Sequence, residues 1–147
     1  MGDPIRIAIV DDDEGFRQAA RRWFDGASNV LIVGEARGGQ ETLCWLRQVR
    51  PDVVLIDVDA ASVAQVRDIA ADAGVIVLHG AGQEMRVLEA LRAGALGHLE
   101  KPDIRPLQAV AAVRAVSRGQ AVLSPGLAGR IVDEVAERCR EEGANDE

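Results

Sequence analysis

The chain has 147 residues, 48% hydrophobic and 28% charged, which is enough for one good core and too little for two ordinary domains. Seventeen basic residues against twenty-four acidic ones leave a net charge of −7, so no broad basic face exists to neutralise a phosphate backbone, and direct nucleic-acid binding by this chain is excluded as an expectation. Cys44 and Cys139 lie far apart without metal-ligand spacing, the apolar run in MGDPIRIAIV is too short for a secretory core, and nothing later approaches a membrane span; a soluble cytoplasmic protein with reduced thiols is expected.

In chain order, short β-rich runs alternate with amphipathic ones. Residues 5–10 read as a strand, after which Phe16, Ala19, Ala20, Trp23 and Phe24 recur on one face of a helix. Residues 30–33 form the next strand, and Leu43, Leu46 and Val49 mark a second helix that Pro51 stops. A third strand at 53–56 precedes Val63, Val66, Ile69 and Ala73 at helical spacing. Residues 75–78 make a fourth strand, followed by a helix through Val87, Leu88 and Leu91 that Gly94 ends. Residues 96–99 and 107–116 supply a fifth strand and helix. The strands are nearly continuous apolar runs, as required when helices cover both faces of a parallel sheet, so the pattern predicts an α/β (βα)5 doubly wound domain. Beyond it, Ser124 with Pro125 behind it predicts an N-cap, and Leu127, Ile131, Val135 and Cys139 form a stripe on a sixth helix. That stripe either packs on the body or offers a partner or dimer surface, and the terminal GANDE is expected to fray. The expected division is 1–120 for the main domain and 121–147 for a linker-like C-terminal helix and tail.

In open parallel sheets, ligands bind at the carboxyl ends of the strands. Here the first strand ends in Asp11, Asp12 and Asp13, the third in Asp57 with Asp59 beyond it, the fourth in His79, and the fifth in Glu100, Lys101 and Pro102. Crowded carboxylates repel one another unless a cation is present, and a hard divalent ion with oxygen ligands, Mg2+, relieves them. Lys101 repels that ion but suits an anion sharing it, such as phosphate. An aspartate beside Mg2+ and a lysine is placed to hold a phosphate or attack it.

The segments IAIVDDDEGF, PDVVLIDVDA, VIVLHGAG and LRAGALGHLEKP, in this order, resemble the receiver domains of bacterial two-component response regulators over roughly residues 5 to 118, and AVSRGQAVLSP is similar to the receiver-to-linker region of the LuxR/nitrate-regulator branch. The resemblance implies a flavodoxin-like sheet of strand order 2-1-3-4-5, an inherited feature that periodicity does not reveal. It implies Asp57 as phosphoacceptor from a histidine kinase and Asp11 and Asp12 as the acidic pair for Mg2+, with Asp12 the more direct ligand. Asp57 and the Asp59 backbone carbonyl complete the metal ligands. Lys101 would pair with the phosphoryl oxygens, and the Lys101–Pro102 bond would be a candidate cis peptide. A homodimer, and DNA contact only through a downstream domain that this chain lacks, follow from the same likeness. No membrane association and no enzymatic action on external substrates are expected.

Four features depart from the family. His79 replaces the threonine or serine at the end of strand four, and His98 replaces the aromatic of strand five. DAASVAQ stands where the family has an MPG stretch, shortening the third helix or its loop, and no helix-turn-helix domain follows. His79 can serve the pocket with one hydrogen bond to an anion or stand as a solvent-facing rim residue, and His98 reads as an ordinary, partly exposed strand residue. Two alternatives follow: a divergent receiver working by phosphorylation-independent protein binding, and a haloacid dehalogenase-type phosphatase in which LIDVDA supplies nucleophile Asp57 and acid/base Asp59. Against the second, that motif usually opens its fold, whereas here a βαβα unit precedes it. A dinucleotide site is weaker still, because VGEARGG lacks the required glycine spacing. Arg17, Arg21 and Arg22 would steer an acidic partner or simply dress the first helix.

Overall fold

The computed structural model describes residues 2–145. Its elements are β1 (Ile5–Val10), α1 (Glu14–Trp23), β2 (Val30–Ala36), α2 (Gln40–Val49), β3 (Val53–Asp57), α3 (Val63–Ile69), β4 (Gly74–His79), α4 (Glu84–Arg92), β5 (Gly97–Glu100), α5 (Pro106–Ser117) and α6 (Pro125–Asn145). The strands form one parallel sheet in the order β2-β1-β3-β4-β5. β1 is flanked by β2 and β3, so the chain reverses direction across the sheet beside β1 and β3, where the strand ends leave a crevice.

Alternation along the strands divides the core in two. Ala8, Val10, Val54, Ile56, Val75 and Val77 pack with Leu46, Val63, Val66, Val87, Leu88 and Leu127 from α2, α3, α4 and α6. On the other face, Ile7, Ile9, Leu55, Ile76, Leu78 and Leu99 meet Ala20 and Phe24 at α1 and Ala109, Val113 and Val116 of α5. All five residues of β3 are buried, which explains why its sequence shows no alternation of polarity.

Several boundaries differ from expectation. β2 continues past Val33 through Gly34, Glu35 and Ala36, because Ala8, Ile9 and Val10 pair with them after a register shift. Glycine ends a strand in most readings, but a Cβ at Gly34 would lie 2.5 Å from Trp45 Cζ2, so the bare backbone here admits an indole. α3 stops at Ile69 and Ala73 is a buried residue outside it, which makes α3 as short as the missing MPG stretch implied. Gly94 does end α4, at φ +114. The Lys101–Pro102 bond is trans, since among the described residues no peptide bond is cis; Pro102 sits inside a single 3-10 turn, Lys101–Asp103, where its fixed φ fits.

Ser124 caps α6 as expected, its Oγ accepting from Leu127 N at 3.4 Å. The segment before it is stitched to the sheet: Val122 N donates to Leu96 O, and His98 N to Val122 O. Leu127 is buried, and Ile131 packs beside it. Arg130 pairs with Glu84 at 2.6 Å, and Arg92 pairs with Glu134. Farther along, Val132, Val135 and Cys139 are exposed, so only the first half of the stripe docks. The helix runs to Asn145, past the expected start of fraying at Gly143, while Asp146 and Glu147 lie outside the described residues. Among the described residues no helix is long and apolar enough to cross a membrane.

Candidate functional site

Three strand ends meet at one ammonium group. Lys101 Nζ lies 2.7 Å from Asp11 Oδ2 and 2.5 Å from Asp57 Oδ2. Asp11 follows β1 directly and is fully buried; Asp57 closes β3 and is nearly so. Each carboxylate is aimed by its second oxygen: Asp11 Oδ1 accepts from Asp13 N at 2.9 Å and Asp57 Oδ1 from Asp59 N at 2.8 Å. Asp11 Oδ2 is buried without a well-directed hydrogen bond, even though the ammonium is close. That contact is therefore chiefly one of charge.

Burial pulls the Lys101 pKa down, but the Asp11 and Asp57 carboxylates beside the ammonium outweigh it and hold the group above its ordinary value. The Phe16 ring stands 4.6 Å from Nζ, centroid to nitrogen, adding an attraction that favours the charged form.

The other expected site residues are not all gathered here. Asp12 is exposed. Asp13 caps α1, its Oδ1 accepting from Phe16 N at 3.2 Å. The Asp59 side chain turns outward to pair with Arg86, with Gln83 Nε2 donating to its Oδ2 at 3.3 Å. Arg86 also donates to the Val58 carbonyl at 2.9 Å. Among the described residues no group of three or more His, Cys, Asp or Glu is arranged to hold a metal ion. The acids that do converge are Asp11 and Asp57, and the lysine stands between them.

His79 is buried, not a solvent-facing rim residue, and its ring nitrogens go to Gly80 O and to His98 Nδ1, both at 3.0 Å. As placed, neither nitrogen is left for an anion at Lys101. His98 is more than a plain strand residue, because its Nε2 also accepts from Ser124 N at 3.0 Å. Arg17 is buried instead of dressing a surface: it donates to Asp11 O at 2.6 Å and pairs with Glu35, which also takes Arg21. Arg17 thus braces the β1 end from below. The places of Gln83 and Arg86 beside Asp59, and of Phe16 beside Lys101, have no local signal in the sequence, because these partners come from elements distant in the chain. The one available signal was Arg17, a charged residue at the edge of the apolar face of α1.

The sequence matches the family model described as the response regulator receiver domain over residues 7–114. It is 31% identical over 90% of its length to the uncharacterized transcriptional regulatory protein YxjL of Bacillus subtilis, and 32% identical over 84% to the response regulator UvrY of Escherichia coli. The chain spans 63% and 59% of those two proteins. Among solved structures, it superimposes on a LuxR-family two-component response regulator from Aurantimonas with a TM-score of 0.77 and 26% identity, covering 91% of this chain and 99% of that one. The signal receiver domain of the putative response regulator NarL from Mycobacterium tuberculosis gives a TM-score of 0.74 at 28% identity, covering 81% of this chain and 100% of that one.

Proposed function

Since the chain belongs to the response regulator receiver family of two-component systems, we propose that its acid pocket accepts a phosphoryl group on Asp57 from a histidine kinase. The observation that carries this reading is the single Lys101 ammonium bridging carboxylates from two adjacent strands, 2.5 Å from Asp57 and 2.7 Å from Asp11. A carboxylate oxygen of Asp57 attacks phosphorus; the P–N bond of the phosphohistidine breaks, its electron pair stays with the imidazole nitrogen, and an acyl phosphate P–O bond forms. Lys101 then exchanges its contact with Asp57 for the transferred oxyanion. The rigid β3 backbone and the Asp59 N–H keep the nucleophile aimed throughout.

Receiver domains typically bind Mg2+ at the phosphorylation site, and the residues here fit it: Asp11 Oδ2 is a buried anionic atom whose sole attraction is a cation. Asp11, Asp12, Asp57 and the Asp59 carbonyl would hold the ion, which would supply charge neutralisation for the incoming oxyanion. His79, engaged with Gly80 and His98, replaces the family hydroxyl without donating to the pocket in this conformation.

Receiver domains are generally non-enzymatic signalling modules, and we assign 1–120 to that module and 121–147 to a linker-like extension. Transcription regulation, contact with DNA through a further domain, and homodimer formation belong to this proposal, as the curated relatives are longer than this chain. The phosphatase reading is not favoured: its acid/base Asp59 is committed to Arg86, and the motif sits on the third strand in sequence. The test is acetyl phosphate with Mg2+ followed by intact mass. Wild type gains one phosphoryl group and Asp57→Asn gains none; equal labelling of both would remove the assignment.

A further inference from the structure

In the β4–β5 pairing, Val77 lies opposite His98 and His79 opposite Glu100. The two histidines are therefore diagonal neighbours on one face of the sheet, the face that α4 and α6 cover. Their ring centroids are 5.2 Å apart, with His79 Nε2 3.0 Å from His98 Nδ1. Each outer nitrogen meets a backbone group whose role chemistry fixes. A carbonyl can only accept, so His79 Nδ1 carries a proton and donates to Gly80 O. A backbone amide can only donate, so His98 Nε2 is bare and accepts from Ser124 N. One assignment then satisfies all three contacts: Ser124 N–H donates to His98 Nε2, His98 Nδ1–H to His79 Nε2, and His79 Nδ1–H to Gly80 O. Both rings are neutral in it. A proton added at His98 Nε2 would face the Ser124 N–H, and one added at His79 Nε2 would face the His98 N–H.

Ser124 is also the N-cap of α6. We infer that His79, His98 and the Ser124 amide form a proton-sensitive latch, which ties the first turn of α6 to the ends of β4 and β5 while both rings are neutral and frees that turn when the pair gains a proton. The device is independent of phosphoryl transfer and uses His79 and His98, two of the positions at which this chain departs from its family. A cavity of about 420 Å3 adjoins the pair, lined in part by Ser124 and Leu127, so the turn has space to move into. The charged groups around this cavity are Glu84 from α4, Glu100 of β5, Asp103 of the 3-10 turn and Arg130 of α6; the segments Gly80–Gly82 and α5 contribute none. Glu84 and Arg130 neutralise each other at 2.6 Å. Burial first, and His79 second, lower the His98 pKa from 6.5 to about 4, which keeps the latch closed at neutral pH.

The test follows the full chain by NMR between pH 7 and pH 3, reading histidine 15N shifts and the protection of the Ser124 amide. Both rings are expected in the Nδ1–H form at pH 7, and one histidine protonation near pH 4 should coincide with a loss of Ser124 protection of about tenfold, the worth of one hydrogen bond, while the core Leu55 amide stays protected. His98→Phe, which keeps an aromatic body, should show the low Ser124 protection at every pH. Glu84→Gln removes the titratable cross-helix carboxylate and should retain the step. An Nε2–H form of His98 at pH 7, equal Ser124 protection in His98→Phe and wild type, or loss of the step in Glu84→Gln would each overturn the latch. If His98→Phe fails to fold, the wild-type titration decides: Ser124 protection that does not follow a histidine protonation overturns it.

Discussion

At Lys101 a single positive charge stands between two carboxylates that belong to different strands, so removing it changes more than one contact. Lys101→Met would leave Asp11 Oδ2 buried against Asp57 with nothing to offset it, at a cost of about 1–3 kcal/mol at pH 7. Urea unfolding at pH 7 checks this. At the alkaline end the sign is set by the raised Lys101 pKa. The folded chain holds that proton more tightly than the unfolded one, so the contribution is full below 10.5 and is lost as pH rises through the elevated value. Lys101→Met should remove that part of the alkaline decline. His98 acts in the opposite sense. The unfolded ring takes a proton near 6.5, the folded ring only near 4, so stability from this group is full above 6.5 and falls as pH drops toward 4. His98→Phe should flatten the wild-type loss between those values in a series of pH-dependent urea melts; an unchanged slope would show that the ring does not titrate with folding.

Helix α6 joins two regimes in one element. Its first turns are held by Leu127, Ile131 and the ion pairs to α4, while Val132 and Val135 face outward. Hydrogen exchange should therefore divide the helix, with slow amides around Ala128 to Asp133 and fast ones beyond Arg138; uniform protection would mean that the exposed half is covered in solution. The same element marks how far the sequence could be read. Its cap was legible because a serine followed by proline has a local meaning, and its stripe because period is local. Which half of the stripe docks depends on where α4 and β5 stand, and no local pattern carries that. The sheet repeats the lesson: β3 was plain from an unbroken apolar run, whereas β2 was cut short at Gly34 because the reason for glycine there is Trp45, a residue of the next helix. At the site, Asp11, Asp57 and Lys101 were legible because parallel strands deliver their ends to one edge. The bonds of Arg86 to Asp59 and of His98 to Ser124 join residues far apart in sequence and depend on the final register.

For the molecule as a whole, the proposed Mg2+ site would tie ion binding to global stability. β1 and β3 are central strands, and their ends carry the two buried acids, so the pocket exists only when the sheet is formed. An ion that binds this folded arrangement and not the open chain must stabilise every part of it by mass action. At a Mg2+ concentration a hundredfold above its dissociation constant the gain is about 2.7 kcal/mol, which for a domain of this length raises Tm by roughly 5–10 °C. With a net charge of −7, any salt relieves general repulsion, so the melts are compared at matched ionic strength with a monovalent salt. Wild type should then show the full Mg2+ increment, Asp57→Asn and Asp11→Asn only a small part of it, and Asp13→Asn, altered at the α1 cap and not at the ammonium, nearly all of it. An increment that survives in Asp11→Asn and Asp57→Asn alike would place the ion elsewhere on the acidic surface.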